Sequence, residues 1–209
     1  MKYISPYYYP NPDYYKYAKK IDDIKPVKHD LLDSEISEIQ TIVKQYSPKI
    51  IFNIGAQVGR IEYEICKILY PKEIPFRIYS INPWLGQWDG VELYDNRFSA
   101  DNHFNTFLFN IKKHKYEKYV IPCRHTPLTW YRKLKDSGEM ADFIFLNMLR
   151  FPSEEDQNIM ERYIRILKPD GIFAFKYKPE DHVKPFIERF KEKEKLKILK
   201  EGEICFLKR

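Results

Sequence analysis

Apolar residues recur along this chain at two spacings, and the switch from one to the other marks its elements. Ile50-Ile51-Phe52-Asn53-Ile54 is a nearly continuous apolar run. Such a run, closed by glycine, predicts a parallel strand buried on both faces. The turn Gly55-Ala56-Gln57-Val58-Gly59 follows, and helical spacing then holds from Ile61 to Tyr70, where Pro71 stops it. Gly55 is expected to turn the backbone sharply and leave room for a ligand. Gly59 is expected to let the new helix pack close to the sheet. Amides at a helix start carry partial positive charge and suit a carboxylate or phosphate. A ligand-free strand-loop-helix corner would use the same residues.

The same alternation runs through the remaining chain. Asp33 or Ser34 is expected to cap a helix carrying Ile36, Ile39, Val43 and Tyr46, which Ser47-Pro48 ends. Strands are predicted at Phe76–Ile81, Tyr119–Ile121, Ala141–Met148 and Ile172–Tyr177. Helices are predicted around Phe104, Phe107, Leu108 and Ile111, after Thr126-Pro127, after Ser153-Glu154-Glu155-Asp156, and after Pro179. Lys168-Pro169-Asp170-Gly171 reads as a turn. Leu196–Leu199 and Ile204–Leu207, joined by Glu201-Gly202, read as a closing antiparallel hairpin. The expected fold class is α/β: a Rossmann-like doubly wound sheet, mostly parallel, with a C-terminal antiparallel hairpin. Ligands bind such sheets beyond the carboxyl ends of the strands, near the switch point.

The domain is expected over residues 30–209, after a Tyr- and Pro-rich arm at residues 1–29 that packs on the body or covers a site. An apolar fraction of 44% in 209 residues suffices for a large core. No apolar run reaches about 18 residues, so no membrane partner is expected, and the polar N-terminus does not read as a signal peptide. Cys66, Cys123 and Cys205 are too dispersed for a zinc site or a disulfide framework, which suggests a reducing, cytoplasmic setting. A net charge of +6 permits RNA as a partner without requiring it.

Several segments, spanning roughly residues 34–209, resemble the class I S-adenosylmethionine-dependent methyltransferases, seven-stranded in type, and within them the small-molecule O-methyltransferase-like group. IIFNIGAQVGR is similar to the first motif of the family. YSINPWLG is similar to its GIDPW, FNTFLFNI to its F…N helix, ADFIFLNML to its DFIFIDG, and ILKPDGIFAF to its LLKPGGI. The resemblance implies S-adenosylmethionine as cofactor and an oxygen or nitrogen of a small molecule or sugar as acceptor. Asn53, Gly55, Ala56, Gln57 and Gly59 would form the cofactor turn around the methionine part. Asn82, with Trp84 beside it, would face the ribose, and His125 or Thr126 the adenine edge.

The chain departs from the family at three usually acidic positions, now Asn53, Asn82 and Asn147. Asparagine loses the charge and is a poor magnesium ligand, so any activity is expected to be metal-independent. The same changes allow an inactive relative kept for binding or assembly. Catalytic candidates are His125, Asn147 and Lys176, with His103 and Asp101 as further general bases. Trp84 and Trp88 would stack on a ring or fill core. Lys176, Glu203 and Asn147 partly resemble the Lys-Asp-Lys-Glu set of RNA ribose 2′-O-methyltransferases; a solvated lysine and a hairpin glutamate are the plainer reading.

Overall fold

The computed structural model describes residues 31–84, 100–147, 154–176 and 183–209. The arm at residues 1–29, the segment with Trp88, the residues 148–153 and the side chains of Asp101 and His103 lie outside the described residues. The elements in order are α1 (Asp33–Tyr46), β1 (Ile50–Ile54), α2 (Arg60–Leu69), β2 (Arg77–Ile81), α3 (Ala100–Lys113), β3 (Val120–Cys123), α4 (Pro127–Ser137), β4 (Ala141–Leu146), α5 (Glu154–Tyr163), β5 (Leu167–Lys176), α6 (Val183–Glu194), β6 (Lys197–Lys200) and β7 (Ile204–Lys208).

The seven strands form one sheet in the order β3-β2-β1-β4-β5-β7-β6. β1 to β5 run parallel, while β7 is antiparallel to both β5 and β6. The expected doubly wound sheet with its terminal hairpin is therefore present. Side chains alternate between two cores. Phe52 and Ile54 face α4, α5 and α6 with Trp130, Tyr163 and Phe190. Ile51 faces α1, α2 and α3 with Ile39, Ile65 and Phe107. Asp142, the one charged residue of β4, sits at its start, where Oδ2 accepts from the Lys49 and Ile50 amides and Oδ1 from Lys168.

The α-helix does stop before Pro71, as expected: α2 ends at Leu69 and a single 3-10 turn over Tyr70–Lys72 follows it. Two expectations need correction. The α1 N-cap is Leu32, which has no side-chain acceptor for the first-turn amides, so neither Asp33 nor Ser34 caps the helix; instead the Leu32 amide itself donates to Glu35 Oε2 at 2.6 Å. Pro169-Asp170-Gly171 lies inside β5 rather than before it. Leu167 pairs with Ala141 and Ile172 with Phe143, so the residues between loop out as a bulge, with Asp170 at φ +64°.

Candidate functional site

β1 pairs with β2 on one side and β4 on the other, so the switch point lies at their carboxyl ends. Register sets Ile54 beside both Ile81 and Leu146. Gly55, Asn82 and Asn147 are thus the first residues beyond three neighbouring strands. The ladder extends to them: the Gly55 amide donates to Ile81 O, Asn147 to Ile54 O and Asn82 to Cys123 O.

The turn from β1 to α2 is wound by three left-handed residues, Gly55 (φ +87°), Gln57 (φ +45°) and Gly59 (φ +85°). Gln57 is strained there, and Trp84 holds it, its indole N–H donating to Gln57 O at 2.7 Å. Asn110 of α3 donates to Val58 O at 2.8 Å. A Cβ on Gly55 would lie 2.1 Å from the backbone oxygen of Asn147. The space expected to admit a ligand beside Gly55 is therefore filled by the end of β4. A Cβ on Gly59 would meet Phe107 and Ile111 of α3, at 3.1 and 3.2 Å, so that glycine admits a neighbouring helix rather than the sheet.

Each of the three asparagines has one side-chain atom engaged and the other buried without a partner. Asn82 Oδ1 accepts from the Trp84 amide at 3.1 Å, a turn-closing bond, and its Nδ2 is unpaired. Asn147 Nδ2 donates to Gly55 O at 3.2 Å, leaving Oδ1 unpaired. Asn53 Nδ2 donates to Glu62 Oε1 at 2.7 Å, leaving its Oδ1 unpaired. Buried polar atoms without partners are rare and call for a ligand or water.

Glu62 was not singled out by sequence. It is fully buried in α2, one turn past Gly59. Burial raises its pKa from 4.5 to about 7, against the weaker pull of Ser80 and Asn53. Ser80 Oγ is close enough to favour the charged form but makes no hydrogen bond of normal geometry. The signal was available: Glu62 shares the helical stripe of Ile65, Cys66 and Leu69, a charged residue on an apolar face.

The remaining candidates separate. Trp84 is completely buried, its ring set 4.8 Å from that of Phe104 and 4.9 Å from that of Phe107. Both the ring and its N–H are engaged within the protein, so of the two readings left open, stacking on a ring or filling core, Trp84 takes the second. Ala56 is buried in the same core. Thr126 caps α4, accepting from the Thr129 amide at 3.3 Å. His125 stacks on Trp130, and Lys133 Nζ lies 3.1 Å from its Nε2. An ammonium only donates, so that nitrogen accepts. Burial, and after it the charge of Lys133, lowers the His125 pKa. Lys176 pairs with Glu35 at 3.3 Å, and Glu203 accepts from Ser34. Among the described residues no cluster of three His, Cys, Asp or Glu side chains is placed to hold a metal ion. No described helix is long and apolar enough to cross a membrane.

No family model matches the sequence, and no curated protein matches it either. Solved structures do match the fold. An O-methyltransferase from Bacillus cereus in complex with SAH aligns with a TM-score of 0.63 at 12% identity, covering 88% of this chain and 84% of that one. A methyltransferase from Geobacter sulfurreducens gives 0.61 at 13% identity, covering 85% and 78%. A precorrin-6y C5,15-methyltransferase from Geobacter metallireducens gives 0.56 at 12% identity, covering 91% and 94%. The chain has, in divergent form, the seven-stranded Rossmann-like fold of the class I S-adenosylmethionine-dependent methyltransferases.

Proposed function

We propose that the chain binds S-adenosylmethionine at the carboxyl ends of β1, β2 and β4 and transfers its methyl group, without a metal ion, to an oxygen or nitrogen of a small molecule or sugar. One observation carries this reading. At the switch point Asn82 Nδ2 and Asn147 Oδ1, a donor and an acceptor, are buried without partners on either side of the Gly55 turn. A ligand with hydroxyl and amino groups fits such a pair. The turn Gly55-Ala56-Gln57-Val58-Gly59 would hold the methionine part through its backbone, Asn82 the ribose, and Thr126 or His125 the adenine edge. When bound, the cofactor supplies an already activated sulfonium methyl. The protein's share is to orient the acceptor in line with it and exclude water.

A cofactor-binding protein without transfer is the second reading, and it has its own support. The His125 lone pair is directed at Lys133 and Lys176 is paired with Glu35, so neither stands ready to take a proton. Calorimetry with S-adenosylhomocysteine and S-adenosylmethionine is expected to give saturable binding. No heat and no thermal shift at millimolar ligand would sink both readings. Binding with methyl transfer that survives a chelator supports the first; binding without transfer to any acceptor supports the second.

Asn82 offers a sharper test. Asp at this position keeps the acceptor for the Trp84 amide and exchanges the unpaired donor for a charged acceptor. A charge-assisted bond exceeds a neutral one by about 1 kcal/mol. Asn82→Asp is therefore expected to tighten S-adenosylhomocysteine binding roughly fivefold, and Asn82→Ala to weaken it. Equal affinities across the three chains would remove Asn82 from the site and leave it as a turn residue.

A further inference from the structure

At the other end of the sheet, where α2 and α3 finish and β2 and β3 begin, aromatic rings gather on the surface. Tyr63 lies 4.3 Å from His114 and 6.2 Å from Tyr116 between ring centroids. Tyr70 continues the run, 6.0 Å from Tyr116 and 5.7 Å from Tyr119, which stacks on Phe76 at 4.7 Å. Only Phe76 is buried; Tyr70 is 53% exposed and His114 is exposed. Tyr116 and Tyr119 pack with one side against the core of Ile65, Leu69 and Ile111, while Tyr70 and His114 stand out on the surface beside them.

The surroundings are strongly basic. Segments 63–72 and 112–119 hold six lysines and two glutamates, a net of +4 against +6 for the whole chain. Of the two acids, Glu64 is buried and bound to Arg60 at 2.9 Å. Lys67 lies over the Tyr63 ring at 5.8 Å. Lys113, Lys115 and Lys118 are exposed and make no ion pair among the described residues.

We infer that this face binds single-stranded nucleic acid, with bases stacked on the Tyr63–His114–Tyr116–Tyr70 row and phosphates on the flanking lysines. The pairing of flat π faces with spaced positive charge fits a polyanion that carries free ring faces at each repeat. A duplex offers the charge with its bases already stacked on one another. An acidic peptide would use the lysines and leave the rings idle. The site is separate from the switch point, so the inference does not rest on the methyl-transfer reading, and cofactor titration can fail without touching it.

Fluorescence anisotropy on the full chain tests it, with labelled oligouridylate and oligothymidylate of about 12 nucleotides. Binding of either strand, falling steeply between about 50 and 200 mM salt, is expected. Tyr70→Ala is expected to weaken it roughly 5- to 100-fold, and Tyr70→Phe to restore it. The double change Lys113→Glu and Lys115→Glu is expected to weaken it and to flatten the log–log salt slope by about 1.4. Thermal denaturation confirms that each variant is folded; where Tyr70→Ala lowers stability, His114→Ala at the exposed end of the row takes its place. Binding of neither strand overturns the inference. So does binding that falls with the lysines but ignores the rings, since that is charge attraction alone.

Discussion

Gly55→Ala is expected to cost about 3–4 kcal/mol of stability, far more than its one added methyl suggests. Alanine at φ +87° is strained by roughly 1–2 kcal/mol. Its Cβ would also stand 2.1 Å from Asn147 O, so the end of β4 has to move. Movement there strains the Asn147 amide bond to Ile54 O and the Asn147 Nδ2 bond to Gly55 O, worth about 1 kcal/mol each. Gly59→Ala is the comparison. Its φ is nearly the same, but the added Cβ would meet the side chains of Phe107 and Ile111 at 3.1 and 3.2 Å, which yield more easily than backbone. Denaturant unfolding of the two variants is expected to rank Gly55→Ala clearly below Gly59→Ala. Equal losses would mean that the backbone conformation alone sets the cost and that β4 does not press on the turn.

Glu62 should make the protein less stable as pH rises through neutrality. Its pKa in the folded chain is about 7 against 4.5 for the free side chain, so the folded state holds a proton that the unfolded chain has released. Stability attached to that proton is complete below pH 4.5, falls as the pH climbs towards 7 and is gone above it. The full span is about 3 kcal/mol. Glu62→Gln keeps an acceptor for Asn53 Nδ2 and removes the titration. The variant is expected to match the parent in acid and to exceed it by up to about 3 kcal/mol above neutral pH. The difference between the two stability profiles isolates this one group; a difference that stays flat with pH would show that Glu62 is solvated and titrates normally.

The architecture was legible because each element carries a single spacing. The continuous run at Ile50–Ile54, closed by glycine, reads as a strand covered on both faces and is one, and Thr126-Pro127 opens a helix through the capping bond that the structure shows. What could not be read concerns partners far away in the chain. Gly55 was open to a ligand on sequence grounds, and only the arrival of β4 fills the space beside it. Trp84 was balanced between core and ligand, and the nearness of Phe104 and Phe107 from α3 decides for the core. Pro169-Asp170-Gly171 has turn chemistry and does turn, but the strand resumes its pairing on both sides of the bulge. The weight of Glu62 depends on Asn53 and Ser80 from two different strands, which periodicity within α2 cannot express.

The wall behind the Gly55 turn comes from a residue 92 positions later. That separation sets an order of events during synthesis. A ribosome adds roughly 5–20 residues per second, so β1, α2 and β2 wait several seconds for β4 to be made. Until then the glycine turn is held only from the β2 and α3 side, by Ile81, Trp84 and Asn110, and has no wall on the β4 side. Long-range parallel pairing also carries a loop-closure cost before it gains any contacts. The switch point is thus among the later parts of this molecule to take shape, completed when the strand carrying Asn147 slides in beside the one carrying Asn53.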